Sequence, residues 1–179
     1  MPRGEHDATI RLFTKDAGMV YARAGGIRAG QSKLRYALQD FSHTTVSLVK
    51  GRTEWRIIGA VSVGNFYYHA VDRGARASML ASMRGLRRFV QGGGAHPELF
   101  EMVVESMQSL ATGKHENLGE QVFLLRLLHQ LGYVAPAHAY DPIVSSKTLA
   151  EACMHCSAQE HISGLVKEAV AQALLVSHL

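Results

Sequence analysis

Residues 10–41 read IRLFTKDAGMVYARAGGIRAGQSKLRYALQDF, and their alternation of apolar and polar positions decides the fold of the first part of the chain. A strand opens at Ala8 and runs to Thr14, Lys15-Asp16-Ala17-Gly18 supplies a hairpin turn, and Met19 to Ala24 is the partner strand. A two-residue period puts Val20, Ala22 and Ala24 on one face and Met19, Tyr21 and Arg23 on the other. Gly25 to Ser32 is a glycine-rich loop carrying Arg28, and Leu34 to Phe41 reads as a third strand. Working outward, His43 to Val49 and Trp55 to Ile58 add two strands joined at Lys50-Gly51-Arg52. Five short strands with glycine turns in about sixty residues predict a small barrel or sandwich.

Beyond Ala60 the period changes to that of helices. Met79, Leu80, Met83, Leu86 and Val90 mark a helix over Ala75 to Val90 that also carries Arg84, Arg87 and Arg88. Gly92-Gly93-Gly94 ends it. Pro97 opens a second helix that stops near Gly113, and Asn117 to Leu131 forms a third, stopped at Gly132. Lys147 to Ser157 and Glu160 to Ser177 predict two more. The fold class expected is therefore α+β, with a β domain over residues 1–60 and an all-α domain over 61–179.

Charge separates the two parts. Residues 1–92 hold 15 Lys and Arg against 6 Asp and Glu, whereas residues 93–179 hold 4 against 9. A basic first half points to a polyanion partner. Cys153 and Cys156 are the only cysteines, which excludes a disulfide framework. Without a signal-type leader or an apolar run long enough for a bilayer, the chain reads as soluble and cytoplasmic. No Ser, Cys, His or carboxylate grouping has catalytic spacing, so no enzyme and no cofactor is expected.

Laid out this way, the chain resembles the RecO family of recombination mediators. The shared pieces are Gly4-Glu5-x-Asp7, Leu12-Phe13-Thr14 with Gly18, Gly26-x-Arg28 with Ser32, Leu38-Gln39-x-Phe41, Pro97-Glu98-Leu99-Phe100, and Phe123-x-Leu125-Arg126-Leu127-Leu128-x2-Leu131-Gly132-Tyr133. The resemblance implies an OB-fold barrel followed by a helical domain, in a non-catalytic, cytoplasmic and nucleoid-associated DNA repair protein. It implies binding of single- and double-stranded DNA, strand annealing, engagement of the tail of single-strand-binding protein, and help with RecA loading together with RecR.

The chain departs from the family pattern in four places. Family members start with a strand ahead of the Gly-Glu-x-Asp segment; Met1 stands three residues before Gly4, so a barrel that starts at Met1 is expected to lack its first strand and stay open. The loop that usually reads Ala-Lys-Gly-x-Arg is Ala24-Gly25-Gly26-Ile27-Arg28, with Arg23 replacing the lysine in part. Gln39-Asp40-Phe41 stands for Gln-Pro-Phe, and Leu124 for the usual Glu after Phe123. The four-cysteine zinc site of some members has no counterpart after Tyr133.

The expected DNA contacts are Arg23, Arg28, Lys33, Arg35, Lys50, Arg52 and Arg56, on strand edges and loops of the barrel, with Arg11 and Lys15 behind them. Together they are expected to form one continuous cationic surface. Tyr21, Tyr36 and Trp55 are candidates for base stacking, worth ~1–3 kcal/mol each, or else core residues. Arg84, Arg87 and Arg88 extend the DNA track or meet the acidic tail of single-strand-binding protein. Arg126, inside an apolar run, is either the cation of that partner slot or half of an internal salt bridge to Glu101 or Glu105. Cys153 and Cys156 read as buried thiols in preference to zinc ligands with His155 and His161. An RNA-binding OB protein and a protein-interaction adaptor with a degenerate barrel are the rival readings.

Overall fold

The computed structural model describes residues 6–115, 118–135, 138–158 and 160–176. Gly4, Glu5, Asn117, Pro136, Ser177 and the side chain of His161, all used in the sequence reading, lie outside the described parts. The chain forms two compact units: a sheet unit that ends at Tyr68 and includes Gly92–Pro97, and a helical unit of His69–Gln91 and the chain from Glu98 onward.

In the sheet unit, β1 (Ala8–Thr14) and β2 (Gly18–Ala24) form the expected hairpin, with Leu12 opposite Val20 and Ala8 opposite Ala24. Thr14 Oγ1 locks the turn, accepting from the Ala17 N–H at 3.1 Å and donating to the Gly18 carbonyl at 3.0 Å. β3 (Ser42–Lys50) and β4 (Trp55–Asn65) form a second antiparallel hairpin, closed where the Gly51 N–H donates to the Glu54 carbonyl at 2.9 Å. β4 joins β2 in parallel over Trp55–Ile57 only. The result is an open mixed sheet of order β1-β2-β4-β3, with β1 and β3 as its edges among the described residues.

Two sequence expectations are corrected here. Leu34 to Phe41 is not a strand: Lys33–Ala37 is a short helix, α1. Leu34 and Leu38 stand four residues apart, and that spacing lets both pack on the sheet core of Val20, Ala22, Ala24, Ile27 and Ile57, with Ala37 buried beside them in sequence. Four strands therefore stand where five were expected. The last strand also continues past Ile58 to Asn65, because β3 pairs along its whole length through two register shifts. Asn65 ends it: its side-chain oxygen accepts from the Tyr67 N–H at 3.0 Å and starts α2 (Phe66–His69).

In the helical unit, Asp72 caps α3 (Arg73–Phe89) by accepting from the Ala75 N–H at 2.7 Å. α4 (Pro97–Ala111) opens at the expected proline. α5 (Gly119–Gln130) is the hub, with Val122, Phe123, Leu125, Leu127 and Leu128 fully buried. α3, α6 (Asp141–Val144), α7 (Leu149–Ser157) and α8 (Glu160–Val176) pack against it. At about 1.5–3 kcal/mol for each large side chain removed from water, this one helix carries much of the unit's cohesion. No helix among the described residues is long and apolar enough to cross a membrane.

Candidate nucleic-acid interface

The strand period that buries Val20, Ala22 and Ala24 turns Tyr21 and Arg23 to the opposite face of the sheet. Strand pairing then decides their neighbours. Arg11 stands opposite Tyr21, and Thr9, Arg23 and Arg56 form one cross-strand row over β1, β2 and β4. Arg11, Tyr21, Arg23 and Arg56 thus share one face. Tyr21 is 51% exposed, and the Arg11 guanidinium lies over its ring, 4.8 Å from the centroid.

Arg23 is held by two carboxylates. Its guanidinium donates to Asp7 through Nε at 3.0 Å and through Nη2, and Nη1 reaches Glu54 at 3.4 Å. The hydrogen bonds to Asp7 and then Glu54 raise its pKa above the ordinary arginine range, so the group is permanently charged. It is also partly neutralised. Asp7 has a second task, accepting from the Gly26 N–H at 2.8 Å and so fixing the start of the loop that carries Arg28.

Beside this face, at the β3–β4 turn, lies a cleft of about 600 Å³. Tyr21, Arg23, Lys50, Glu54, Trp55 and the Gly93-Gly94 backbone are among its lining groups. Lys50 Nζ sits 5.8 Å from the Trp55 ring centroid. Trp55 packs on the core with one part and lines the cleft with another, so the stacking and core readings both describe it.

The expected single cationic surface is not what the strand and helix arrangement gives. α1 lies on the core side of the sheet through Leu34 and the following Leu38, so exposed Lys33, Arg35 and Tyr36 stand away from the Arg11–Arg56 face. Exposed Arg28 belongs to the loop next to α1, and its N–H donates to the His6 carbonyl at 3.0 Å. The basic residues form three groups: Arg11, Arg23 and Arg56 on the sheet face, Arg28, Lys33 and Arg35 in the loop and α1, and Lys50 with exposed Arg52 at the β3–β4 turn. A strand over Leu34 to Phe41 would have set Arg35 in the sheet; α1 takes it out. Arg11, placed behind the others in the sequence, belongs to the face; its signal was the strand parity it shares with Thr9 and Phe13.

In the helical unit, Arg84, Arg87 and Arg88 are exposed on α3. Arg126 is not: it is 5% exposed, donates through Nη2 to the Ser146 carbonyl at 2.7 Å, and has Nη1 3.9 Å from Glu105. Burial lowers its pKa, and Glu105 opposes that. Glu105 also accepts from the Leu149 N–H at 2.9 Å, so the pair ties α4 and α5 to the start of α7. Of the two readings of Arg126, the internal salt bridge describes the geometry. Arg126→Leu is expected to lower the stability of the helical unit by about 3 kcal/mol, because Glu105 and the Ser146 carbonyl lose their partner. Urea denaturation followed by circular dichroism measures it.

Cys153 and Cys156 are buried free thiols, and His155 on the same helix is exposed. Burial, reinforced by Cys156, pushes Cys153 up to about 12, and burial also raises Cys156. Since the thiolate is the reactive form, both are expected to alkylate with iodoacetamide at pH 8 at least a hundredfold slower in the folded chain than in urea, on the order set by thiolate fraction and access. Mass spectrometry of the labelled protein checks this. Among the described residues no group of three or more His, Cys, Asp or Glu is placed to hold a metal ion.

The comparisons with known proteins agree with this layout. A family model described as Recombination protein O N terminal matches residues 1–66, and one described as Recombination protein O C terminal matches residues 72–138. The chain is 31% identical over 132 residues to the DNA repair protein RecO of Rubrobacter xylanophilus, covering 73% of this chain and 52% of that protein. It is 26% identical over 130 residues to the DNA repair protein RecO of Dehalococcoides mccartyi, covering 73% of this chain and 51% of that protein. The chain spans about half the length of the curated relatives it matches. Sheet unit, helical unit and both family models follow one another in the same order along the sequence, and the chain belongs to the RecO family.

Proposed function

We propose that the chain is a non-catalytic DNA-binding protein of recombinational DNA repair, which holds the phosphate backbone on the outer face of its sheet. The observation that carries this reading is the juxtaposition of Arg11, Tyr21, Arg23 and Arg56 on one sheet face beside a Lys50–Trp55 cleft. The names of its relatives, DNA repair protein RecO, supply the context. Cations on such a face neutralise phosphates without reading sequence, and the exposed aromatic edge offers bases a flat partner. Strand annealing, engagement of the single-strand-binding protein tail, assistance of RecA loading with RecR, and a nucleoid location belong to the same proposal.

Fluorescence anisotropy of a labelled oligo-dT at increasing salt tests it. With three or four phosphates neutralised, the logarithm of affinity is expected to fall linearly with that of salt, with a slope of about −2 to −3. An affinity independent of salt would falsify the reading. Unlabelled RNA competing better than DNA would favour the RNA-binding alternative. Retention of single-strand-binding protein by a chain that binds no oligonucleotide would favour the adaptor.

A further inference from the structure

α3 has a side that the helical core of its own unit does not use. At 100° per residue, Arg73, Arg76, Arg84, Arg87 and Arg88 fall within an arc of about 120°. Ala75, Met79, Ser82, Leu86 and Phe89, all buried, occupy the opposite side. The helix contains no Asp or Glu; Asp72 caps its start, and Glu120 of α5 feels the charge of Arg84. Arg73, Arg84, Arg87 and Arg88 are exposed, Arg76 donates to the Ala70 carbonyl at 3.4 Å, and Arg88 lies over the Phe89 ring. The stripe runs about 22 Å at 1.5 Å per residue.

We propose that this arginine face is a second surface for nucleic-acid backbone, taking a strand other than the one on the sheet. The proposal rests on the sheet-face reading only in assuming that the protein handles nucleic acid. Several guanidinium forks spaced along one line match successive phosphates, which accept them bidentately. An acidic peptide ending in an apolar residue needs an apolar slot beside the cation. Here Leu80, 42% exposed, is the only large apolar residue in the stripe. A membrane-surface helix would present its apolar face outward, whereas that of α3 is packed inside its unit.

The test uses the full chain and two non-complementary oligonucleotides, one carrying a donor dye and one an acceptor, with the number bound per chain counted by sedimentation. The native chain is expected to bind a first oligonucleotide and, at low salt, a second with energy transfer between them. Arg73→Ala/Arg84→Ala/Arg87→Ala is expected to keep the first event within twofold and weaken the second at least tenfold. Alanine preserves α3, since it is the best helix former. Arg84→Ala alone is expected to weaken the second event about threefold and to flatten its salt slope by about 0.7. A second event that survives the triple substitution overturns the proposal, as does a native chain that binds one oligonucleotide and no more. Loss of poly-glutamate binding with the second oligonucleotide retained also overturns it and assigns the face to an acidic protein. If the native chain binds no oligonucleotide at all, the sheet-face reading fails as well, so the two failures are distinguishable.

Discussion

Arg11→Glu/Arg56→Glu is expected to weaken binding of a single-stranded oligonucleotide about a hundredfold at low salt and to shift the melting curve only slightly, since the exposed Arg11–Tyr21 contact it removes is worth at most about 1 kcal/mol. Both residues are exposed on the outer face of the sheet, one on an edge strand and one on β4. A unit charge about 4 Å from a phosphate contributes roughly 1 kcal/mol in water and up to ~4 kcal/mol at a protein surface. Reversing two such charges gives about 3 kcal/mol after screening, hence the hundredfold. Arg23 is the wrong residue for this test despite its central place. Its removal would take the guanidinium away from Asp7 and Glu54 and disturb the carboxylate that anchors the Gly26 loop, so lost binding and lost structure would be confounded. The same carboxylates make Arg23 a weaker phosphate partner than Arg11 or Arg56. Equal binding by the double variant and the native chain would remove the sheet face from the account.

Gly18→Val is expected to cost the sheet unit about 3 kcal/mol or more. Gly18 has φ 63°, which a β-branched residue adopts only under strain of about 1–3 kcal/mol. Its Cβ would also overlap the carbonyl of Gly94, so the Gly92–Gly94 segment would have to move away. That movement breaks the bonds from Met19 N–H to Gly92 and from Gly94 N–H to Ala17, each worth about 1 kcal/mol. Against a total stability of about 5–15 kcal/mol, the loss is large. Gly26→Val separates the two causes: φ there is 66°, but nothing lies within 4 Å of the added carbon, so only the backbone strain is paid. The midpoint of urea denaturation should fall for both variants, and further for Gly18→Val.

How far the sequence is legible follows from how local each determinant is. The β1–β2 hairpin could be read because alternation, turn residues and Gly18 lie within seventeen consecutive residues. The helices from α3 onward could be read because long apolar stripes and their glycine and proline stops are also local. Residues 34–41 misled, because Tyr36 and Phe41 suggested a strand while Leu34, Ala37 and Leu38 also fit one helical face. Only the sheet core beneath them decides between the two. That error set Arg35 among the cations of the sheet. The pairing of Arg23 with Asp7, sixteen residues away, and with Glu54, thirty-one away, depends on tertiary placement, and no spacing rule announces it. Arg126 was legible as a charge that needed a partner; which partner was decided by the tertiary placement of Glu105 beside it.

Nitrogen-15 amide shifts of the chain, followed during titration with a short oligo-dT kept below one equivalent, most directly ask where the phosphates first settle. Perturbations are expected on Thr9, Arg11, Tyr21, Arg23 and Arg56, together with the Lys50–Trp55 turn. Shifts confined to Arg28, Lys33, Arg35 and Tyr36, or to the helical unit, would contradict the assignment of the first strand to the outer face of the sheet.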